Sequence, residues 1–254
     1  AHGVIAGVRS DVGYTLLMHD LSAHLLPDLP GVPPPMSQQH LVIEAMASMH
    51  AGFWMDESLA EPIHGLTSLA SFIGHTSPRT IERIRMRMGS ARIADWLAPG
   101  WDKLPTLTDP YLAQDLQAVA DDPTLLAETA ATFPWTLTHT DPRPANVAVD
   151  DEQGRVYFLD WTRPALAPPA IDLLYWTFAA NTAFAEPRED LIAAYTTALE
   201  RRIGSRLSAA WWGPQLDLCF VAFVACFVPI IANVNPDAVA GWTERCRPGL
   251  RALG

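Results

Sequence analysis

Lysine is almost absent from this sequence: Lys103 is the only one among the 17 lysine and arginine residues of a 254-residue chain. Acidic side chains number 28, which leaves a formal net charge of -11 at pH 7. A surface of that charge repels phosphate backbones, so the sequence argues against a nucleic-acid partner. A small neutral or cationic partner is compatible with it.

Cysteine is also scarce, and the three cysteines have no Cys-x-x-Cys spacing: Cys219, Cys226 and Cys246. This pattern predicts neither a disulfide framework nor a zinc site, and it is typical of a reducing compartment. Residues 1–10 contain no basic segment followed by a long apolar one, so they do not indicate a signal peptide. These absences together predict a cytoplasmic protein.

Long apolar runs are limited to Leu218–Ala232, which contains Pro229 and follows Asp217. The run is shorter than the ~20 residues that cross a bilayer, so it predicts a buried helix and no membrane partner. A membrane-associated interaction protein that uses this helix is the remotest alternative. Hydrophobic residues make up 49% of the chain and charged residues 18%, a composition that excludes intrinsic disorder.

Local patterns predict two strands at the N-terminus, Val4–Val8 and Tyr14–Met18, on either side of a turn. From Ser37 onward, apolar residues recur at helical spacing. Later helical segments are predicted at Thr80–Leu97, Leu112–Phe133, Asp172–Thr182 and Arg188–Ile203. The sequence therefore predicts an α+β protein, with a mainly helical body that one β-hairpin interrupts.

The densest group of polar residues surrounds that predicted hairpin. Val147–Val149 and Val156–Leu159 have strand patterns and are separated by an acidic turn. If they pair, Asn146 before the first strand lies beside Asp160 after the second. One amide oxygen and one carboxylate suit Mg²⁺, which uses few protein ligands together with substrate phosphates. Asp141 precedes Asn146 by five residues, close enough to act on a nucleophile near that metal.

At these residues the chain resembles the aminoglycoside phosphotransferase and choline kinase-like family, small-molecule relatives of protein kinases. The His-x-Asp-x-x-x-x-Asn catalytic loop of that family is matched by His139, Asp141 and Asn146. Its Asp-Trp after a hairpin is matched by Asp160–Trp161, and a later Asp-Leu by Asp172–Leu173. Each residue alone suits an ordinary turn or cap, but their joint spacing favours a phosphotransferase site.

The resemblance extends upstream and implies a protein-kinase-like fold. Leu16–Leu21 resembles the last N-lobe strand and the hinge, and Ala45–Ala51 resembles the helix that follows them. It implies a partial N-lobe of about two strands with the hinge at residues 1–21. Residues 22–254 would form a mainly helical C-lobe that contains the catalytic loop and the metal site.

The resemblance also implies a reaction, in which ATP and Mg²⁺ are used to phosphorylate a hydroxyl of a small molecule, neutral or cationic. Asp141 would orient and deprotonate the acceptor hydroxyl, and Asn146 and Asp160 would hold Mg²⁺. The nucleotide would bind at three hinge positions: Met18, His19 and Leu21. Three further residues would orient the loop rather than react: His139, Arg143 and Asp172.

The sequence departs from the family pattern in two places. Thr140 stands where the family usually has glycine, a residue that tolerates positive φ. No glycine-rich loop or strand lysine precedes Val4, and Lys103 falls in the helical body. The alternative function is therefore a catalytically inactive nucleotide- or ligand-binding remnant. A fragment, a misannotated start and a degenerate protein are all compatible with the incomplete N-lobe.

Overall fold

Most of the chain is helical in the computed structural model, which describes residues 3–11, 13–28, 32–88, 91–178 and 187–254. The chain divides into two compact units by its contacts. Unit 1 is formed by Ala1–Gly52, Asp141–Thr162 and Tyr175–Ser205, and unit 2 by Phe53–Thr140, Arg163–Leu174 and Arg206–Gly254. The lobe boundary expected at residue 21 stays a prediction.

The strands are short and follow this order: β1 (Val4–Ser10), β2 (Gly13–Met18), β3 (Thr67–Ser68), β4 (Thr136–Thr138), β5 (Val147–Asp150), β6 (Arg155–Phe158) and β7 (Ala165–Ala167). The helices are α1 (Met36–Gly52), α2 (Leu69–Gly74), α3 (Pro78–Met88), α4 (Arg92–Leu107), α5 (Pro110–Asp121), α6 (Thr124–Ala130), α7 (Ala170–Phe178), α8 (Arg188–Ile203), α9 (Ala209–Val234), α10 (Val239–Arg245) and α11 (Arg247–Arg251).

The predicted N-terminal strands and the predicted hairpin are both present, as the antiparallel pairs β1–β2 and β5–β6. The helix predicted at Arg188–Ile203 is confirmed at both ends. The pattern at Leu112–Phe133 is broken into α5 and α6, because proline at position 123 disfavours the helical conformation of the residue before it. Asp122 accordingly has φ −136° and ψ 85°.

Two other helix predictions need adjustment. The segment Thr80–Leu97 falls on two helices, α3 and α4, rather than on one. The helix expected at Asp172–Thr182 begins earlier, at Ala170, and residues 179–182 of that prediction lie outside the described residues.

In unit 1, α1 packs against α8 and also contacts β5 and β6. His50 on α1 and Tyr195 on α8 are fully buried, and their Nδ1 and Oη atoms share a hydrogen bond of 2.5 Å. Val147 and Ala148 of β5 are fully buried as well. Helix α1 thus packs against the hairpin β5–β6 and restrains it.

In unit 2, α9 contacts α2, α4, α5 and α11. Its approach to α4 depends on Gly100, since a Cβ added there would lie 1.9 Å from the carbonyl oxygen of Pro229. Unit 2 also contains a small sheet in the order β3–β7–β4, in which β7 runs parallel to β3 and antiparallel to β4. The sequence did not predict the parallel pair β3–β7.

Helix α9 is longer than the apolar run at Leu218–Ala232 suggested. By length and composition it could cross a bilayer, and among the described residues it is the one helix that could. However, 72% of its most apolar window is buried inside the protein. Burial on this scale is typical of a core helix, as the sequence predicted, although the length argument used for that prediction does not hold.

Candidate active site

The open end of the hairpin β5–β6 brings the two predicted metal ligands together. Val147 pairs with Phe158, and one step further the Leu159 N–H donates to the carbonyl oxygen of Asn146 at 2.8 Å. Asn146 therefore stands opposite Leu159, and Asp160 follows directly on the other strand. The register of the ladder makes Asn146 and Asp160 neighbours, although they are far apart in sequence.

The side chain of Asn146 also contacts the catalytic loop. It is 6% exposed, and its Nδ2 donates to the backbone carbonyl of Asp141 at 3.0 Å. This bond fixes the orientation of the amide and turns Oδ1 into the atom that a metal could bind. The same bond ties the position of Asp141 to the end of the hairpin.

The carboxylate of Asp141 is partly exposed and interacts with Arg143. The Arg143 Nε lies 3.6 Å from Asp141 Oδ1, and the two side chains are 48% and 24% exposed. An ion pair at this distance and exposure contributes little to stability. The Asp141 Oδ1 that faces Arg143 is itself buried, so the exposed part of the carboxylate is its other side.

Asp160 is exposed and has φ +60°, in the left-handed region that non-glycine residues rarely adopt. The indole N–H of Trp161 donates to the carbonyl of Phe158 at 2.8 Å, so the bond spans Asp160. Strained backbone of this kind persists only where neighbouring contacts hold it. The Trp161 bond is one such contact and gives the Asp-Trp pattern a physical reason.

These ligands fit Mg²⁺. An amide oxygen and a carboxylate are hard donors, and Mg²⁺ takes one or two such groups and fills its other positions with water and phosphate oxygens. Within the described ranges, no group of three or more His, Cys, Asp and Glu side chains is placed to hold a metal. A metal bound by these two oxygens would take its other ligands from water and substrate phosphates.

The three predicted nucleotide-binding residues lie at and after the end of β2. The His19 N–H donates to the carbonyl of Gly3 at 2.9 Å, and the Leu21 carbonyl accepts from the His24 N–H at 2.9 Å. In the part of the chain that the structure describes, backbone hydrogen bonds do not use the carbonyl of His19 or the N–H of Leu21. Met18, the last residue of β2, is 40% exposed.

The chain that follows the hinge runs beside the hairpin of the candidate site. The Leu26 N–H donates to the carbonyl of Val147 at 3.0 Å, and Leu25 forms an isolated antiparallel bridge with Ala148. Unit 1 therefore places the segment after the predicted hinge beside β5, the strand that begins directly after Asn146.

In unit 2, the start of the catalytic loop is held by Asp172. Its Oδ2 accepts from the His139 N–H and its Oδ1 from the Thr140 N–H, both at 2.7 Å. All three residues are at most 1% exposed. Thr140 has φ +68°, so the position where the family usually has glycine does require a positive φ.

Sequence reasoning missed one contributor, Arg163, whose backbone carbonyl accepts from the Thr140 hydroxyl at 2.8 Å. The sequence contains no signal for this contact, because a residue of any type at position 163 has the same backbone carbonyl.

Comparisons with solved structures identify the class of fold. The choline kinase LicA from Streptococcus pneumoniae is 13% identical, with a TM-score of 0.49 over 98% of this chain and 75% of that chain. LicA in complex with AMP, also 13% identical, has a TM-score of 0.50 over 99% and 74%. A spectinomycin phosphotransferase in complex with ADP and spectinomycin is 11% identical, with 0.44 over 100% and 77%. The similarity to the LicA–AMP complex, at a TM-score of 0.50, confirms the α+β, protein-kinase-like fold class.

The sequence itself identifies the family. Residues 16–205 match the phosphotransferase enzyme family, which is most of the chain. The chain therefore belongs to that family, and the resemblance noted from its motifs is confirmed. A comparison with curated proteins returns no match.

Proposed function

We propose that this chain transfers the γ-phosphoryl group of ATP to a hydroxyl of a small molecule and uses Mg²⁺ to do so. The observation that carries this proposal is the open end of the hairpin β5–β6. The Leu159–Asn146 bond sets Asp160 beside Asn146, and the Asn146 amide binds the backbone of Asp141. The candidate base is thus hydrogen-bonded to one candidate metal ligand, and the other candidate ligand directly follows the residue that pairs with the first.

Each of these side chains has a distinct role in the proposed reaction. Asp141 orients the acceptor hydroxyl and accepts its proton as the oxygen attacks phosphorus. Asn146 and Asp160 would hold Mg²⁺ through their side-chain oxygens. When bound, Mg²⁺ neutralises charge on the phosphates. Three residues act indirectly by fixing the loop: His139, Arg143 and Asp172.

The hinge supplies a complementary edge for adenine. The carbonyl of His19 accepts one hydrogen bond and the N–H of Leu21 donates one, while Met18 offers an apolar contact. Backbone hydrogen bonds within the described chain leave these two groups at the hinge available.

The predicted location is the cytoplasm. It is supported by the three cysteines, which are all buried free thiols.

The acceptor should be neutral or cationic. A net charge of -11 attracts cations and repels anions over distances of about a Debye length, ~10 Å at 0.1 M salt. Transfer to a cationic acceptor should therefore weaken as salt is raised. A preference for anionic acceptors would contradict this part of the proposal.

A second candidate function is nucleotide or ligand binding without transfer. It is favoured by the engagement of Lys103, which lies on α4 and whose Nζ donates to Asn233 Oδ1 on α9 at 3.1 Å. Kinases usually hold the ATP phosphates with a lysine on an N-lobe strand. Lys103 is instead engaged between two helices of unit 2.

One experiment separates these candidates. Transfer of the γ-phosphate of ATP to neutral, cationic and anionic hydroxylated compounds is measured with and without Mg²⁺, and ADP binding is measured by calorimetry. Mg²⁺-dependent transfer supports the first function. ADP binding without transfer to any acceptor supports the second, and neither binding nor transfer overturns both.

A further inference from the structure

The segment 141–162, which carries Asp141, Asn146 and Asp160, is closed at its base by one side-chain hydrogen bond. Its flanking residues are Thr140 and Arg163, and the Thr140 Oγ1 donates to the Arg163 carbonyl at 2.8 Å. Both flanking residues belong to unit 2, whereas the segment between them belongs to unit 1. This bond therefore joins the chain positions at which the segment begins and ends.

The Thr140–Arg163 bond continues the β4–β7 ladder beyond its last backbone pair. Strands β4 and β7 pair antiparallel, with Thr136 opposite Ala167 and Thr138 opposite Ala165. Two residues beyond this last pair, the backbone of Thr140 has turned to φ +68° and no longer follows a strand. Its hydroxyl takes over the contact across the ladder, which places Thr140 opposite Arg163.

The conformation of Thr140 is costly, because β-branched residues rarely adopt positive φ. It is held from two sides, by the bond from its N–H to Asp172 Oδ1 at 2.7 Å and by its hydroxyl bond to Arg163. Glycine would adopt this φ without strain but has no hydroxyl. Threonine at this position therefore keeps a contact that glycine cannot make.

We propose that Thr140 is a positioning residue whose hydroxyl clamps the two ends of the segment 141–162. The clamp restrains the start of the catalytic loop before Asp141 and the return of the chain after Asp160. Its consequence for catalysis rests on the proposed function. The clamp itself does not, so the two can be tested separately.

The chain offers a matched control. Thr138 is also buried, and its Oγ1 donates to the carbonyl of Ala165 at 3.0 Å. That pair is already joined by the backbone of β4 and β7. Thr140→Val and Thr138→Val thus delete the same kind of hydroxyl-to-carbonyl bond, once beyond the ladder and once within it.

Hydrogen exchange of the full chain, followed by mass spectrometry, tests the clamp directly. In Thr140→Val, amides of residues 159–162 should exchange on the order of 10-fold faster, as expected for the loss of one buried hydrogen bond. In Thr138→Val, the acceleration of these amides relative to the wild type should be no larger than that of the α9 amides, which report a loss of global stability. Unchanged exchange at 159–162 in Thr140→Val, or equal acceleration in both variants, would overturn the proposal.

Thr140→Gly guards against misfolding of the valine variant, because glycine suits φ +68° and also lacks the hydroxyl. Its local flexibility affects residues 139–142, so residues 159–162 at the far end report on the clamp alone. They should again exchange faster, whereas Thr140→Ser, which keeps the hydroxyl, should restore slow exchange. Slow exchange in the glycine variant would contradict the clamp.

A second readout addresses the metal. Mn²⁺ binding in the presence of ADP, measured by electron paramagnetic resonance, should weaken ~10-fold in Thr140→Val and recover in Thr140→Ser. A merely structural role would lower the melting temperature of Thr140→Val and leave its affinity for Mn²⁺ unchanged. If the wild type binds neither Mn²⁺ nor ADP, the proposed function fails, and the exchange experiment still decides the clamp.

Discussion

The hairpin β5–β6 of unit 1 and the helix pair α4–α9 of unit 2 use their residues in different ways. At the hairpin, polar side chains stand just beyond a buried ladder, and Asp160 is held at φ +60°. In the helix pair the decisive feature is a missing side chain, since Gly100 admits the carbonyl of Pro229. The hairpin end holds groups for chemistry, and the helix pair provides packing. Substitutions in the two regions should therefore separate activity from stability.

The largest effect is expected at the hairpin end. Asp141→Asn keeps the shape of the side chain but removes the proton acceptor, so phosphoryl transfer should fall on the order of 10²–10⁴-fold. The melting temperature should change little, because asparagine keeps the shape of the side chain and a 3.6 Å ion pair with the half-exposed Arg143 contributes little to stability. The measurement is the steady-state rate at saturating ATP.

The control for that variant is Asp151→Asn, at the closed end of the same hairpin, where the carboxylate contacts Gln38 on the surface. It should retain wild-type transfer. Full transfer by Asp141→Asn would remove Asp141 from the mechanism.

The next effect is expected in the helix pair. Gly100→Ala forces a Cβ to within 1.9 Å of the Pro229 carbonyl oxygen, so α4 and α9 must move apart. The free energy of unfolding should fall by about 3 kcal/mol or more, at the upper end for overpacked cores. Denaturant unfolding measures it.

Gly241→Ala is the matched control, because Gly241 lies on the exposed side of α10 in unit 2, no atom lies within 4 Å of the added Cβ, and the next residue is not proline. Alanine there should stabilise the helix by about 0.5–1 kcal/mol. A stable Gly100→Ala variant with impaired transfer would reverse the assignment of packing and chemistry to the two regions.

A pH effect should appear in unit 2. Burial, with a smaller contribution from the positive charge of Arg163, lowers the pKa of His75 from 6.5 to about 4, while its hydrogen bond to the Phe72 carbonyl opposes the shift. Between pH 6.5 and pH 4, His75 is therefore protonated in the unfolded chain and neutral in the folded chain. Stability from this group is complete above pH 6.5 and falls by up to about 3 kcal/mol as the pH drops to 4.

Unfolding free energies at pH 7 and pH 4.5 check this expectation. His75→Gln should show a smaller loss of stability on acidification than the wild type, whereas His64→Gln, at an exposed position, should not. An identical loss in the wild type and in His75→Gln would show that other groups control the acid sensitivity.

The smallest effects compare the two hairpins of unit 1. Val149 on β5 is 2% exposed and Val8 on β1 is 62% exposed. Val149→Ala should therefore lower the free energy of unfolding by about 2 kcal/mol, and Val8→Ala should change it by less than about 0.5 kcal/mol. Equal losses in the two variants would mean that the β1–β2 hairpin is covered in solution.

The hairpins were predictable because their signals are local. In β5–β6 the strands are a few residues apart and paired through one turn, so apolar pattern and turn chemistry are sufficient. The signal for the break at Pro123 is local too, but the prediction of one helix over Leu112–Phe133 missed it. The parallel pair β3–β7 was missed because Thr67–Ser68 is too short to show a pattern and its partner lies almost 100 residues away.

In the candidate site, too, the local pattern was predictable and the tertiary contacts were not. The spacing of Asp141, Asn146 and Asp160 named the residues, and the hairpin register explains how two of them become neighbours. Their catalytic roles stay predictions. Spacing could not show that the Asn146 amide binds the backbone of Asp141, because that contact depends on the turn at 144–146.

The sequence by itself therefore determined the strands of the hairpins, most helices and the identity of the candidate ligands, because these follow from residue type and short spacing. Only the tertiary structure decided which groups hold them. The family motif named Asp172 as an orienting residue, but the atoms that it binds, and the bond from Thr140 to Arg163, join residues more than 20 positions apart. The contact of Gly100 with Pro229 joins two helices. Such contacts arise from packing of distant segments, and no local pattern encodes them.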